Sequence, residues 1–295
     1  MTERRVKSKI LYDFLHDPSA IAGSIIIVIF LVVAIFAPWI APQDPYDLET
    51  LSLEHFLTPP IWMEGGQMPF LLGTDDQGRG ILSTMLYGCR TSLIVGSGVV
   101  LIAGTFGVIM GLLAGYYGGI ADTIIMRLAD TFFSFSTTLM AFLLLGLLKQ
   151  RGMLTVIFAI CIADWVRYAR TMRGSVLAVK QETYIMAAKA TGAKDFRLLL
   201  KHLAPNAMAP IFVVVAVDLA VVIMLEATLS FLGVGVPMTE PSLGMMIAIG
   251  KNYIYAGMWW LVVFPAAALI FLVVGINLFA DWLREELNPK IGKQR

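Results

Sequence analysis

Three long stretches of this chain, Pro18–Pro42, Thr91–Ala121 and Asn252–Ala280, contain no charged residue at all. A helix needs about 20 consecutive apolar residues to cross a bilayer, and each of these runs supplies them. Thr131–Leu148 is shorter but adequate with its flanks. Gly152–Tyr168 and Asn206–Ser230 qualify less cleanly, because Asp164, Arg167, Asp218 and Glu226 interrupt or border them. With 58% hydrophobic and only 15% charged residues, the 295-residue chain is too apolar for a soluble domain of this length. The pattern predicts an all-α, polytopic membrane protein with six transmembrane helices.

Lys and Arg set the orientation. They gather at Arg4, Arg5, Lys7 and Lys9, again from Arg167 to Lys201, and in the tail at Arg284, Lys290, Lys293 and Arg295. Gln43–Tyr87 is acidic instead, with Asp44, Asp47, Glu49, Glu54, Glu64, Asp75 and Asp76 against Arg79. Six crossings place both termini and the basic segment between helices four and five inside, and the acidic loop outside. Lys149 and Arg151 fall in a short outer loop, against this rule but outvoted. The first apolar run is long and lacks a clean small-residue cleavage site, so it is expected to stay as an anchor. Three regions follow: residues 1–88 (N-terminal segment, anchor helix and acidic outer loop), a five-helix core over 89–283, and a cytoplasmic tail over 284–295. No internal repeat of the kind that marks many secondary transporters is visible.

Chemistry-bearing patterns are sparse. His16, His55 and His202 form no zinc motif, and Cys89 and Cys161 lack metal spacing and read as free, buried thiols. Gly244 to Gly250-Lys251-Asn252 superficially resembles a phosphate loop. It has one residue too many, lacks Ser or Thr after Lys and follows no strand. The expectation is therefore no catalytic, metal or cofactor-binding residue, and no covalent chemistry. A net charge of +1 gives no reason to invoke nucleic acid.

The basic inner segment holds the most informative feature. Met186, Ala187, Ala188 and Ala190 are good helix formers, and Gly192 sits where a left-handed C-cap would end the helix. Small Ala side chains on a short helix let another protein surface approach closely. A membrane protein that holds out such a helix takes force or signal from a soluble partner.

Tyr184–Pro205 resembles the cytoplasmic coupling loop of ABC-importer permeases, a Glu-Ala-Ala, three residues, Gly pattern followed by a Leu-Pro pair. Ala187, Ala188, Gly192 and Pro205 match in identity and spacing, while Met186 replaces the usual acid and Ala204 the usual Leu. Four further stretches are similar to the peptide and nickel importer permeases, in the subunit with the longer outer loop. They are Leu72–Arg79 followed by Tyr87-Gly88 and Ser92-Leu93, Gly115–Gly119 with Asp122, Arg127 and Asp130, Glu226–Gly235, and Asn277-Leu278 with Asp281–Arg284 and Pro289. Gly80, Ser136, Leu243, Ala280 and Asn288 depart from that pattern. The resemblance spans most of the chain from about Leu72 onward.

It implies a bacterial inner-membrane permease subunit that forms the path with a second permease, in contact with lipid. The partners implied are two cytoplasmic ATPases, which bind the ATP, and an external substrate-binding protein. Di- or oligopeptides are the implied cargo. Tyr184, Met186, Ala187, Ala188, Thr191, Gly192 and Pro205 would couple to the ATPases. The rival class is a stand-alone secondary transporter or channel, and an intramembrane enzyme lacks any nucleophile–base or metal constellation.

Two acids are pathway candidates. Asp218 falls near the middle of helix five, where an ionised carboxylate costs at least about 2.5–3.5 kcal/mol; it either faces the pathway and contacts passing substrate, or is a protonated or paired acid in helix packing. Glu226, nearer the outer interface, is expected to reach water in a structural or gating role. Asp130 is expected to pair with Arg127 on its own helix. Gly104, Gly107, Gly111 and Gly115 form a small-residue face that packs within the subunit or against a second one. Met238–Asn252 reads as an outer loop or re-entrant piece, and Trp259, Trp260, Tyr253 and Tyr255 as an interfacial belt.

Overall fold

The computed structural model describes residues 12–47, 55–148, 152–192, 194–237 and 239–287. The basic residues of the N-terminus, Glu49, Glu54, Lys149, Arg151, Asn288, Pro289 and the tail cations beyond them lie outside the described residues.

Helix α1 spans Pro18–Ile40. Asp17 caps it, its Oδ1 accepting from the Ser19 and Ala20 amides at 2.8 and 3.3 Å, and Pro18 occupies the first turn, where no amide is missed. Ile25, Val28, Ile29, Val32 and Ile35 are all exposed. That apolar, uncovered face is what a lipid-facing helix presents. α2 runs over Ile81–Tyr117, starting well before the uncharged run and stopping at Gly118, whose φ of 66° no side-chain-bearing residue adopts readily.

The third apolar run is not one straight helix. α3 (Gly119–Phe133) and α4 (Thr137–Leu147) meet at 83°. Ser134 turns its hydroxyl back to the Asp130 carbonyl at 2.8 Å, and Ser136 is extended at φ −62°, ψ 130°. Residues that bond their own backbone compete with helix continuation, and a window average over apolarity does not register them.

α5 covers Met153–Val179, α6 Thr183–Ala190, α7 Ala209–Phe231, α8 Leu243–Gly250 and α9 Trp260–Glu286. Among the described residues, α1, α2, α7 and α9 are long and apolar enough to cross a membrane, and the bent α3–α4 pair makes a fifth if taken as one span. α5 has the length, at 27 residues, but carries Asp164, Arg167, Arg170 and Arg173 along it.

The core is the α2–α5 seam. A Cβ added to Gly107 would lie 2.3 Å from the Trp165 carbonyl oxygen, and one on Gly111 2.3 Å from that of Ala169. Only hydrogen fits there. The small-residue face is therefore buried within this subunit, where close backbone approach maximises dispersion contacts. α9 packs on α1 and α7.

The stretch after α7 is mostly a short buried helix. Leu243, Met245 and Met246 of α8 are buried, and Gly244 sits so close to α7 that its Cβ would meet the Ala227 carbonyl oxygen at 2.3 Å. The glycine spacing that resembles a phosphate loop thus belongs to a helix. Trp260 is a correction to the belt: it is buried in a cluster with Ile81, Met246 and Leu261, while Tyr255 is 98% exposed. Cys89 and Cys161 are free and buried.

On the acidic segment, Asp75 and Arg79 form a buried knot. Arg79 Nε donates to Asp75 Oδ2 at 2.7 Å, and Asp75 Oδ1 accepts from the Gln77 and Arg79 amides, both at 2.9 Å. It leads straight into α2, so the Leu72–Arg79 stretch is a helix lead-in in which Arg79 neutralises Asp75.

Candidate functional site

The coupling-like segment folds as a helix, a left-handed glycine and a second helical stretch. α6 is anchored by Ile185, 2% exposed. Its C-terminus closes with the Thr191 amide on the Ala187 carbonyl at 3.0 Å and the Gly192 amide on that of Lys189 at 3.1 Å. Gly192 has φ 80° with nothing near its missing Cβ, so backbone conformation, and not space, demands glycine. Tyr184, Met186, Ala187, Lys189, Ala190 and Thr191 are exposed. Ala188 is different: it is half-buried against the main core. The outward face is thus carried by Met186, Ala187 and Ala190.

Beyond Gly192 come Asp195–Leu198, a wide π turn over Leu199–Leu203 and Ala204–Ala207. Pro205 is exposed and has no amide hydrogen to donate back into the preceding turn, which coincides with that widening.

Two side chains, Tyr116 and Asp195, join this segment to the bundle, and Lys180 at the end of α5 braces Tyr116. The Tyr116 hydroxyl donates to Asp195 Oδ1, and Lys180 Nζ donates to the Tyr116 carbonyl at 2.7 Å. They border a cavity of about 370 Å³ with Ile185, Met186 and Lys189. Nothing in the spacing of Tyr116 and Asp195 signalled this link.

The second site lies within the bundle. Asp218 is fully buried. Its Oδ1 accepts from Arg167 Nη1 and its Oδ2 from the Tyr168 hydroxyl at 2.7 Å. Within this chain the acid is therefore packed and paired. Arg167 Nη2 also lies 3.6 Å from Asp164 Oδ1. Asp164 is 4% exposed, and its Oδ2 has no hydrogen-bond partner. A cleft of about 210 Å³ opens beside this group, lined by Ser136, Thr137 and Thr138 from the α3–α4 break, Asp164 and Arg167 from α5, and Val221 and Leu225 from α7. The sequence signal was the charge interrupting the Gly152–Tyr168 run; which acid Arg167 would meet, 51 positions away, was not legible.

Glu226 does not reach water. It is fully buried and accepts from the Ser92 hydroxyl at 2.9 Å and the Ser230 hydroxyl at 2.8 Å, which ties α7 to α2. A hydroxyl from each helix replaces the solvent expected around it. Asp130 pairs with Arg170 of α5 at 2.6 Å, not with Arg127. Asp122 takes Arg173 at 2.5 and 2.7 Å. These two pairs fasten α3 to α5, so the long-range cation displaces the local one.

On the acidic segment, partial burial and then the neighbouring Asp75 raise the Asp76 carboxyl above the ordinary carboxylate range. Its Oδ1 has no partner. No group of three or more His, Cys, Asp or Glu side chains among the described residues is arranged to hold a metal.

Residues 107–293 match the family described as the binding-protein-dependent transport system inner membrane component, and residues 8–60 match the N-terminal TM domain of oligopeptide transport permease C. The chain is 37% identical over 279 residues to the di/tripeptide transport system permease protein DppC of Pseudomonas aeruginosa, covering 95% of this chain and 90% of that protein. It is 37% identical over 280 residues to the dipeptide permease DppC of Haemophilus influenzae (95% and 93%) and to the oligopeptide permease OppC of Bacillus subtilis (95% and 88%). A chain of the MetNI methionine ABC transporter, solved in inward-facing conformations, superposes with a TM-score of 0.57 at 18% identity, over 70% of this chain and 96% of that one. At that identity the likeness speaks to the fold alone.

Proposed function

Because this chain belongs to the family of binding-protein-dependent transport inner-membrane components, we propose that it is one of two permeases forming the translocation path of an ATP-driven importer of di- and oligopeptides. The family is not itself catalytic, so hydrolysis falls to two partner ATPases, and an external binding protein delivers the peptide. α5 serves as the sixth span, its charged face turned to the bundle and its apolar face outward. Both termini and α6 then lie in the cytoplasm of a bacterium, and the Asp75–Arg79 knot lies outside.

The observation that carries the reading is α6. It is a short helix held by one buried side chain, stopped by a left-handed glycine, and left with Met186, Ala187 and Ala190 uncovered. ATPase closure pushes that surface, and the link through Asp195 and Tyr116 carries the displacement to the end of α2. The bundle rocks between inward- and outward-facing states, with Asp218 holding α7 to α5 during the motion.

Vesicles containing this chain with its second permease, both ATPases and the binding protein are expected to take up dipeptide only with ATP, and vanadate is expected to stop uptake. Uptake by this chain alone, driven by an ion gradient, would establish the secondary-transporter class instead. Topology is checked in the same vesicles. A cysteine at exposed Glu64 is expected to react with impermeant reagent from outside, and one at exposed Lys194 only after permeabilisation. The native Cys89 and Cys161 are buried and keep the background low. Labelling of Lys194→Cys from outside would invert the orientation.

A further inference from the structure

The cleft at the α3–α4 break has a charge balance that its own residues leave unfinished. Arg167 supplies one positive charge. Asp218 and Asp164 supply two negative ones, and both approach the same guanidinium. Asp218 is fully satisfied, with Arg167 on one oxygen and Tyr168 on the other. The surplus negative charge therefore resides on Asp164, which is nearly fully buried and has an oxygen with no partner. A buried carboxylate in that condition favours a cation or a proton donor beside it.

The surroundings define which donor fits. Ser136, Thr137 and Thr138 contribute hydroxyls, and Ser136 leaves the first turn of α4 without a side-chain cap. Val221, Val222, Leu225 and Ile160 supply apolar walls. About 210 Å³ is below the roughly 300 Å³ at which pockets begin to enclose a whole drug-sized ligand. It accommodates one end of a molecule. A compact group with several N–H donors and one positive charge, on a carbon bearing a small apolar side chain, matches this lining.

We propose that this cleft binds the α-ammonium group of a peptide in transit, with Asp164 as its counter-ion and the hydroxyls of the α3–α4 break as its remaining acceptors. This rests on the peptide-importer reading above. Arg167 is a positioning residue: its Nη2 lies beside one oxygen of Asp164, leaving the other to the ligand, and its Nη1 keeps Asp218 from competing. The site is separate from whatever the external binding protein recognises, because it lies wholly on α4, α5 and α7 of this chain.

The test uses the assembled transporter, both permeases with both ATPases, in nanodiscs without the binding protein. Thermal stability is measured against Ala-Ala and against N-acetyl-Ala-Ala, which differ in the ammonium group. Ala-Ala is expected to raise the melting temperature in a saturable way and N-acetyl-Ala-Ala to leave it unchanged. A hydrogen-bonded charge contact of this kind corresponds to about tenfold or more in apparent affinity, and Asp164→Asn is expected to remove that much. Equal effects of the two peptides, or none from either, would overturn the proposal with no variant needed. Loss of Ala-Ala protection in Thr138→Val alone, with Asp164→Asn unaffected, would overturn the role given to Asp164. ATP-driven Ala-Ala uptake by the wild-type transporter with its binding protein is run in parallel. Its absence would defeat the importer reading itself, whereas uptake without ammonium discrimination would defeat only this site.

Discussion

Small residues do opposite things in two parts of this molecule. Along α2, Gly107 and Gly111 are small so that α5 of the same chain can lie against them, with carbonyl oxygens 2.3 Å from where a Cβ would stand. Along α6, Ala187 and Ala190 are also small, yet none of the described residues covers them. The first pattern is complete within the subunit. The second is a surface shaped for contact and left without one. On the proposed function, that open face is where an ATPase subunit would sit.

The largest expected effect comes from breaking the closed side of that contrast. Gly111→Val puts a branched side chain into backbone that has no room to yield, at the upper end of overpacking costs, about 3 kcal/mol. Membrane abundance and thermal stability are both expected to collapse, and uptake with them. Wild-type abundance by immunoblot would mean that the seam is looser than its geometry.

Next is the open side. Ala187→Asp is expected to leave abundance normal while weakening ATPase association at least tenfold, since an unpaired charge buried in a contact costs several kcal/mol and 1.4 kcal/mol is already tenfold. Ala188→Asp sharpens the comparison. That residue packs half-buried against the core, so its substitution is expected to lower abundance as well. If the two variants behave alike in pulldown and in immunoblot, the face assignment on α6 is wrong.

The smallest effect tests the link between the two regions. Tyr116→Phe removes the hydroxyl that donates to Asp195, worth about 1 kcal/mol as a typical net hydrogen bond, or about fivefold in an equilibrium. ATPase recruitment and abundance are expected to remain. The ratio of ATP hydrolysed to peptide imported is expected to rise by up to about that factor. An unchanged ratio would mean that force leaves α6 by another route.

How much of this could be read in advance follows the range of the interactions. α1, α2 and α9 declared themselves because twenty apolar residues in a row admit one interpretation, while α7 reads as a span only across the interruptions of Asp218 and Glu226. Gly192 could be placed because a C-cap is local. The bend at Ser134–Ser136 escaped because its cause is three hydroxyl-bearing and aromatic positions inside an otherwise apolar average. Asp130 was paired with the wrong arginine for a similar reason: Arg127 is near in sequence, whereas Arg170 arrives from another helix. Trp260 looked interfacial by type, but α8 folds over it. The Asp164–Arg167–Asp218 group was visible only as a set of intruders in apolar runs.

The α3–α4 bend carries a consequence for the membrane itself. At about 1.5 Å per residue, the 15 residues of α3 and 11 of α4 are about 22 Å and about 16 Å long. Neither alone crosses a hydrocarbon layer about 30 Å thick. Taken together as one span, the pair puts its break inside that layer, where non-helical backbone is tolerated only if protein or a wet cavity satisfies it. The Ser136 side chain makes no cap hydrogen bond, so the first amides of α4 have no partner from that side chain. Taken as one span, the bent pair offers two short pieces of helix where the other spans offer one unbroken rod, so this part of the chain lacks continuous helix across the thickness of a bilayer.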